Sequence, residues 1–174
     1  ATFLWQKVRH QKTVRIAVAV FLLAGFVPFI LKGTVTSLML TWPDTRNEAL
    51  RFMEEYDITE NKTVSEGYTP YNPGNKNDIY EFDIFNPGEK EYFVLSSLME
   101  DRFAAEPERY VTQNAFYARV RSHSVLIKDF RPDPEPTSVI DQLKVIFEYL
   151  NRKFRNSKPQ YLTGPRLEIY KLQE

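Results

Sequence analysis

His123 is one of only two histidines in the chain, and it stands between Ser122 and Ser124. A hydroxyl beside an imidazole is a hydrolase pairing, because a ring nitrogen can take the proton that makes the oxygen a nucleophile. The surrounding stretch, Phe116 to Phe130, is rich in strand formers and reads as one strand, or as two broken near Arg121 and Ser122. On a strand, adjacent side chains leave opposite faces, which keeps both serines away from the ring. No G-x-S-x-G elbow accompanies them. His123 is therefore expected to be an exposed or hydrogen-bonded strand histidine, and His10 only a further charge in a basic arm.

Other chemistries find less support. The chain has no cysteine, which removes disulfides, thiolate metal sites, CxxC haem attachment and thiol nucleophiles together. It has no HExxH, no EF-hand loop and no histidine pair. Asp129, Asp133 and Glu135 lie close together, but prolines interleave them and a solvated acidic loop is expected. The 6 glycines are scattered and no GxxxxGK phosphate cradle occurs. Glu54-Glu55 and Glu106/Glu108 fall on ordinary polar stretches; a glycosidase pair would draw on distant positions and is not expected in so small a domain. No catalytic, cofactor-binding or metal-ligating residue is assigned, and no cofactor is expected. With 23 basic and 23 acidic side chains, the net charge of zero argues against nucleic acid as a partner. No small-molecule substrate is evident either. The triplet Asn61-Lys62-Thr63 is a glycosylation sequon that matters only in a secretory pathway.

The strongest pattern is an element, not a site. From Ile16 to Leu31 the run IAVAVFLLAGFVPFIL carries no charge. It is slightly short of the ~20 residues that a bilayer core takes, and the mild flanks make up the length. A transmembrane helix is expected over 13–33. Arg15 and Lys32 can snorkel outward at its ends, and Trp5 and Trp42 suit the two headgroup belts. Pro28 is expected to kink the helix or end it early. A cleaved signal peptide shares this grammar, but no small-x-small site follows promptly. Ala1 is expected to follow removal of an initiator Met or of a presequence. Lys7, Arg9, Lys12 and Arg15 crowd the N-terminal flank, so the positive-inside rule puts that end in the matrix or cytoplasm. The large domain then faces the intermembrane space or periplasm.

The organisation expected is a basic arm (1–12), the transmembrane helix (13–33), an interfacial segment with a connecting helix (34–57) and an extramembrane α+β domain (58–174). Ala49, Leu50, Met53 and Tyr56 fall at helical spacing within 42–57. Residues 58–78 form a long aromatic break that holds a short strand at most. Tyr56, Tyr68 and Tyr71 are its candidate partner contacts. Residues 79–95 read as a hairpin, with Tyr80, Phe82 and Ile84 on one face and a turn at Asn86-Pro87-Gly88-Glu89. Ser97 to Glu100 resembles a capping box that opens a short helix through Ala105. After the stiff RPDPEPTS linker, Ser138 can cap a helix over 139–156. Its stripe of Val139, Ile140, Leu143, Ile146, Phe147, Leu150 and Phe154 is expected to be core. The cluster Arg152, Lys153, Arg155 and Lys158 is expected to be a charged helix end. Gly164-Pro165 turns the chain into a last strand. The fold class is α+β: one N-terminal transmembrane helix, then a small extramembrane domain whose amphipathic helices cover one face of an antiparallel sheet.

The function expected is that of a single-pass accessory subunit, structural and non-catalytic, in a multi-subunit inner-membrane complex of a respiratory or other energy-transducing chain. A mitochondrial inner membrane is the expected setting. Its partners are then the lipid bilayer and other membrane-protein subunits. The alternatives are a membrane-anchored assembly or secretion factor with a partner-binding outer domain, and an anchored hydrolase.

Overall fold

The computed structural model describes the backbone of residues 2–71, 77–155 and 161–173; the side chains of 2–11, 13, 15, 18, 77 and 78 lie outside the description. The chain divides into two compact units, Ala1–Thr41 with Pro134–Lys158, and Trp42–Asp133 with Pro159–Glu174.

The first unit pairs two helices. α1 spans Thr2–Met39 and continues through Pro28, so the proline does not end it. Residues that read as a basic arm belong to the same helix from Thr2 onward. Within it, Ala19–Met39 is long and apolar enough to cross a membrane. Phe21, Leu22, Leu23, Phe26, Phe29 and Ile30 are all exposed, on every side of the helix. Among its described side chains, shelter is confined to the C-terminal end, where Val35 is buried and Leu31, Leu38 and Met39 are half-buried. α5, Val139–Arg155, packs against α1. Its start is fixed as expected: the Asp141 N–H donates to Ser138 Oγ (3.1 Å) and the Ser138 hydroxyl donates back to Asp141 Oδ2 (2.6 Å). Its apolar stripe, however, is not core. Val139, Ile140, Leu143, Phe147, Leu150 and Phe154 are exposed, while Gln142 and Val145, round to one side, are buried.

The second unit is built on a mixed sheet. β1 (Thr63–Ser65), β2 (Tyr92–Ser96), β3 (Ser124–Phe130) and β4 (Leu167–Leu172) lie in the order β1-β2-β4-β3. β2/β4 and β3/β4 are antiparallel, but β1 runs parallel to β2, so the sheet is not purely antiparallel. The expected hairpin is absent. Asn77–Glu81 is a 3₁₀ turn, and no strand lies between it and β2, which begins at Tyr92. The reason is occupancy: β1 takes one edge of β2 and β4 the other, so no edge is left for a hairpin partner. Tyr80 and Ile84 still enter the core, from irregular backbone.

Helices cover both faces of the sheet, not one. α2 (Thr45–Glu55) buries Ala49 and Met53 with Val94, Leu167 and Ile169. α3 (Ser97–Ala104) and α4 (Val111–His123) bury Phe103, Phe116, Tyr117 and Val120 with Phe93, Leu95 and Tyr170 on the opposite face. Alternate residues of β2 and β4 thus feed two cores. α4 also corrects the expected long strand. Its β-branched and aromatic residues favour a strand locally, but Phe116 and Val120 meet one core only at helical spacing. Tyr80 meets Phe103 and Phe116 edge-on (5.3 and 5.6 Å between centroids), and Phe82 meets Phe93 likewise at 5.6 Å, which gives this core a fixed aromatic geometry.

Candidate functional site

The polar centre of the second unit starts at Glu66, just beyond β1. Its side chain is buried at 1% exposure. Three donors converge on the carboxylate: the Tyr80 hydroxyl (2.9 Å) and the Tyr117 hydroxyl on Oε1, and the Ser96 N–H (2.9 Å) on Oε2. Burial pushes the Glu66 carboxyl above the usual glutamate range, against these three hydrogen bonds, which favour the anion. Burial also raises both tyrosine hydroxyls, and the nearby carboxylate adds to the shift, so they remain protonated donors.

A ladder of charges lies beside it. Arg121 on α4 forks onto Glu100 of α3 (2.5 and 2.7 Å) and reaches Glu168 of β4 (3.1 Å). Its Nε donates to the Tyr170 hydroxyl (3.3 Å), which donates in turn to Glu168 Oε2 (2.9 Å). Glu168 Oε1 meets Arg166 at 2.5 Å, and Arg166 forks onto Asp129 of β3 at 2.9 and 3.0 Å. Arg131 closes the row on Asp129 at 2.6 Å. The Arg166 hydrogen bond holds the Asp129 carboxyl below the usual range. Bonds to Glu100, ahead of those to Tyr170 and Glu168, raise Arg121 further. A shallow cleft lined by Ser96, Ser97, Glu100, Arg166 and Glu168 opens on this row.

These groups tie α3, α4, β3 and β4 together. Three arginines face three carboxylates, and each charge has a partner within the row, so the cleft presents no uncompensated charge to a ligand. Among the described residues no group of three His, Asp or Glu is placed to hold a metal ion. The acidic loop expected at 129–135 is instead engaged: Asp129 in the ladder, and Asp133 accepting the Leu162 N–H at 2.6 Å.

His123 ends α4 and does not lie on a strand. The Ser122 hydroxyl is therefore close, with Oγ at 2.8 Å from Nδ1. Helical backbone thus brings together two side chains that a strand would have kept apart, but the hydrolase pairing still fails. Nδ1 also lies 3.0 Å from the Arg119 carbonyl, which calls for a proton on that nitrogen. The Ser122 hydroxyl itself donates to the Arg119 carbonyl (3.0 Å). A protonated Nδ1 cannot be the base for this hydroxyl.

Of the residues expected at a membrane interface, Lys32 is exposed on α1, while the Trp5 and Arg15 side chains lie outside the description. Trp42 is buried and stacks on Tyr161 at 4.7 Å within the second unit. Tyr56 and Tyr68 are exposed. Tyr71 is half-buried against the Met53 core, with its hydroxyl 3.5 Å from the Ile58 carbonyl. Lys158 lies outside the described residues. No local pattern points to Glu66, one of several acids in a turn-rich stretch. Arg121 and Glu168 carry an indirect one, because a charge inside a hydrophobic-rich segment must find a partner.

No protein family, curated protein or solved structure matches the chain.

Proposed function

We propose that this chain is a single-pass membrane protein that serves as a non-catalytic accessory subunit of a multi-subunit inner-membrane complex, in a respiratory or related energy-transducing chain. The observation that carries the membrane assignment is α1. Its described apolar residues are exposed around the whole helix up to Ile30, within a stretch, Ala19–Met39, long enough to cross a bilayer core. Such a surface is costly in water and ordinary in lipid. The basic residues Lys7, Arg9, Lys12 and Arg15 support an N-terminus in the matrix or cytoplasm, with the second unit in the intermembrane space or periplasm.

A structural role is supported by the second unit. Its buried Glu66 carboxylate and the row from Glu100 to Arg131 are committed to partners inside the unit, and its exposed apolar groups suit lateral contacts. Val125, Leu126 and Ile127 are exposed on the edge strand β3, and Tyr56 and Phe85 stand on the same unit's surface. Extraction of native membranes in mild detergent tests the proposal. Co-migration with other subunits at fixed stoichiometry is expected, and recovery as a free monomer would exclude a subunit role.

A further inference from the structure

The apolar stripe of α5 has no cover among the described residues, and the charges around it are ordered. Val139, Ile140, Leu143, Phe147, Leu150 and Phe154 form one exposed face. On a helix of 3.6 residues per turn, Lys153 borders this face on one side, and Lys144 and Arg155 border it on the other. Asp141, Glu148 and Arg152 fall on the far side, and Lys144 is bridged to Asp141 at 3.1 Å. Basic residues flanking an apolar face, with acids turned away from it, describe a helix lying in a lipid interface. The basic side chains can keep their stems along the acyl boundary and place their charges among anionic headgroups.

Position supports the same occupant. α5 packs against α1, and the sheltered residues of α1 are Leu31, Val35, Leu38 and Met39, at the end where an apolar span meets the headgroups. The exposed apolar surfaces of the two helices belong to one unit. Asp141, Lys144, Glu148, Arg152, Lys153 and Arg155 are spread along α5, and that density of charge forbids it from crossing the hydrocarbon itself.

We propose that α5 is a second membrane contact: an in-plane amphipathic helix whose apolar face sinks into the leaflet at the C-terminal end of α1 and favours anionic lipid. The proposal rests on the membrane assignment of α1. Because the chain has no native cysteine, single nitroxide labels can be placed in the full protein without other changes. Ile140→Cys, Phe147→Cys and Phe154→Cys occupy one face two turns apart, at exposed positions where folding is not at stake. Lys144→Cys reports the polar border, and Phe26→Cys reports α1. The labelled proteins are reconstituted in phosphatidylcholine vesicles with and without phosphatidylglycerol. Accessibility to oxygen and to a water-soluble nickel chelate is then read.

The three stripe labels should be open to oxygen, shielded from nickel and at similar depths, about 5–10 Å below the headgroups. Lys144→Cys should be open to nickel, and phosphatidylglycerol should increase the shielding of the stripe. Stripe labels open to nickel, or immobilised and closed to both reagents as under a protein cover, would overturn the proposal. So would depths that step by about 10 Å from one label to the next, the signature of a helix that crosses. Failure of the underlying assignment looks different: Phe26→Cys would then be open to nickel. A deeply placed Phe26→Cys label with a bare stripe rejects the α5 proposal alone.

Discussion

Glu66 is held by opposed forces. Removing the carboxylate from water favours its protonated form, while two tyrosine hydroxyls and the Ser96 N–H favour the anion. The folded state binds the Glu66 proton more tightly than the unfolded chain does, because its carboxyl sits above the ordinary value. Its linked stability is therefore full below the unfolded glutamate value and is lost as pH rises through the folded one. Glu66→Gln should remove this part of the pH dependence. It should also cost about 1–3 kcal/mol, because the amide NH₂ sets a donor against the donors already there. Urea midpoints of the two proteins across mildly acidic and neutral pH check both; parallel profiles would refute the assignment. Asp129, held low by Arg166, acts in the opposite sense, and its contribution is lost as pH falls through its folded value. Arg121→Lys keeps the charge but loses the fork onto Glu100 and the reach to Tyr170. The residue is partly exposed, so a cost of about 1 kcal/mol is expected from chemical denaturation.

At the scale of elements, two turn positions are the most exposed to test. α2 ends with Asp57 at φ 53°, the Ile58 N–H bonded to the Met53 carbonyl (2.8 Å) and the Asp57 N–H to Glu54 (3.3 Å). This is a Schellman end whose left-handed position usually carries glycine. Asp57→Gly should raise stability by up to about 1 kcal/mol, read as a higher thermal midpoint. Gly164 is the converse. At φ 101°, a Cβ there would stand 2.7 Å from Asp44 Oδ1 and 2.8 Å from Thr45 Oγ1. Asp44 is the N-cap of α2, so Gly164→Ala should both strain the turn and disturb the cap, at a cost of about 2 kcal/mol or more. Elements with a complete local signal are legible in the sequence: α5 with its Ser138 cap, and β4 after Gly164-Pro165. α3 lies where expected, but without the capping box: Ser96 is its N-cap with no side-chain cap bond, Ser97 Oγ accepts the Arg166 N–H (3.2 Å) and Glu100 pairs with Arg121. The first strand of the expected hairpin and the first half of the expected 116–130 strand do not form, while their second halves are β2 and β3. Alternation and β-branching in the missing halves serve burial, and the partners that decide burial are distant in sequence.

For the whole molecule, the chain order conceals the grouping. Pro134–Lys158 belongs with α1, and Pro159–Glu174 returns to the unit begun at Trp42. β4 follows the other three strands in sequence yet links β2 to β3, so the sheet cannot be completed until β4 joins it. The proposed orientation predicts that, in sealed vesicles with the matrix or cytoplasmic face outward, the second unit resists added trypsin until detergent opens the bilayer. Cleavage in intact vesicles would reverse the assignment. What the sequence determined alone is what a helix needs no partner to express: an uncharged run of nearly spanning length with mild flanks, and the amphipathy of α5. Both are periodic within a single segment. Only the tertiary structure decided that the α5 stripe stays uncovered, that helices take both faces of the sheet, and that Glu66 meets Tyr80, Tyr117 and Ser96. Those outcomes depend on which distant residues compete for the same edge or the same buried volume, and no local pattern records that competition.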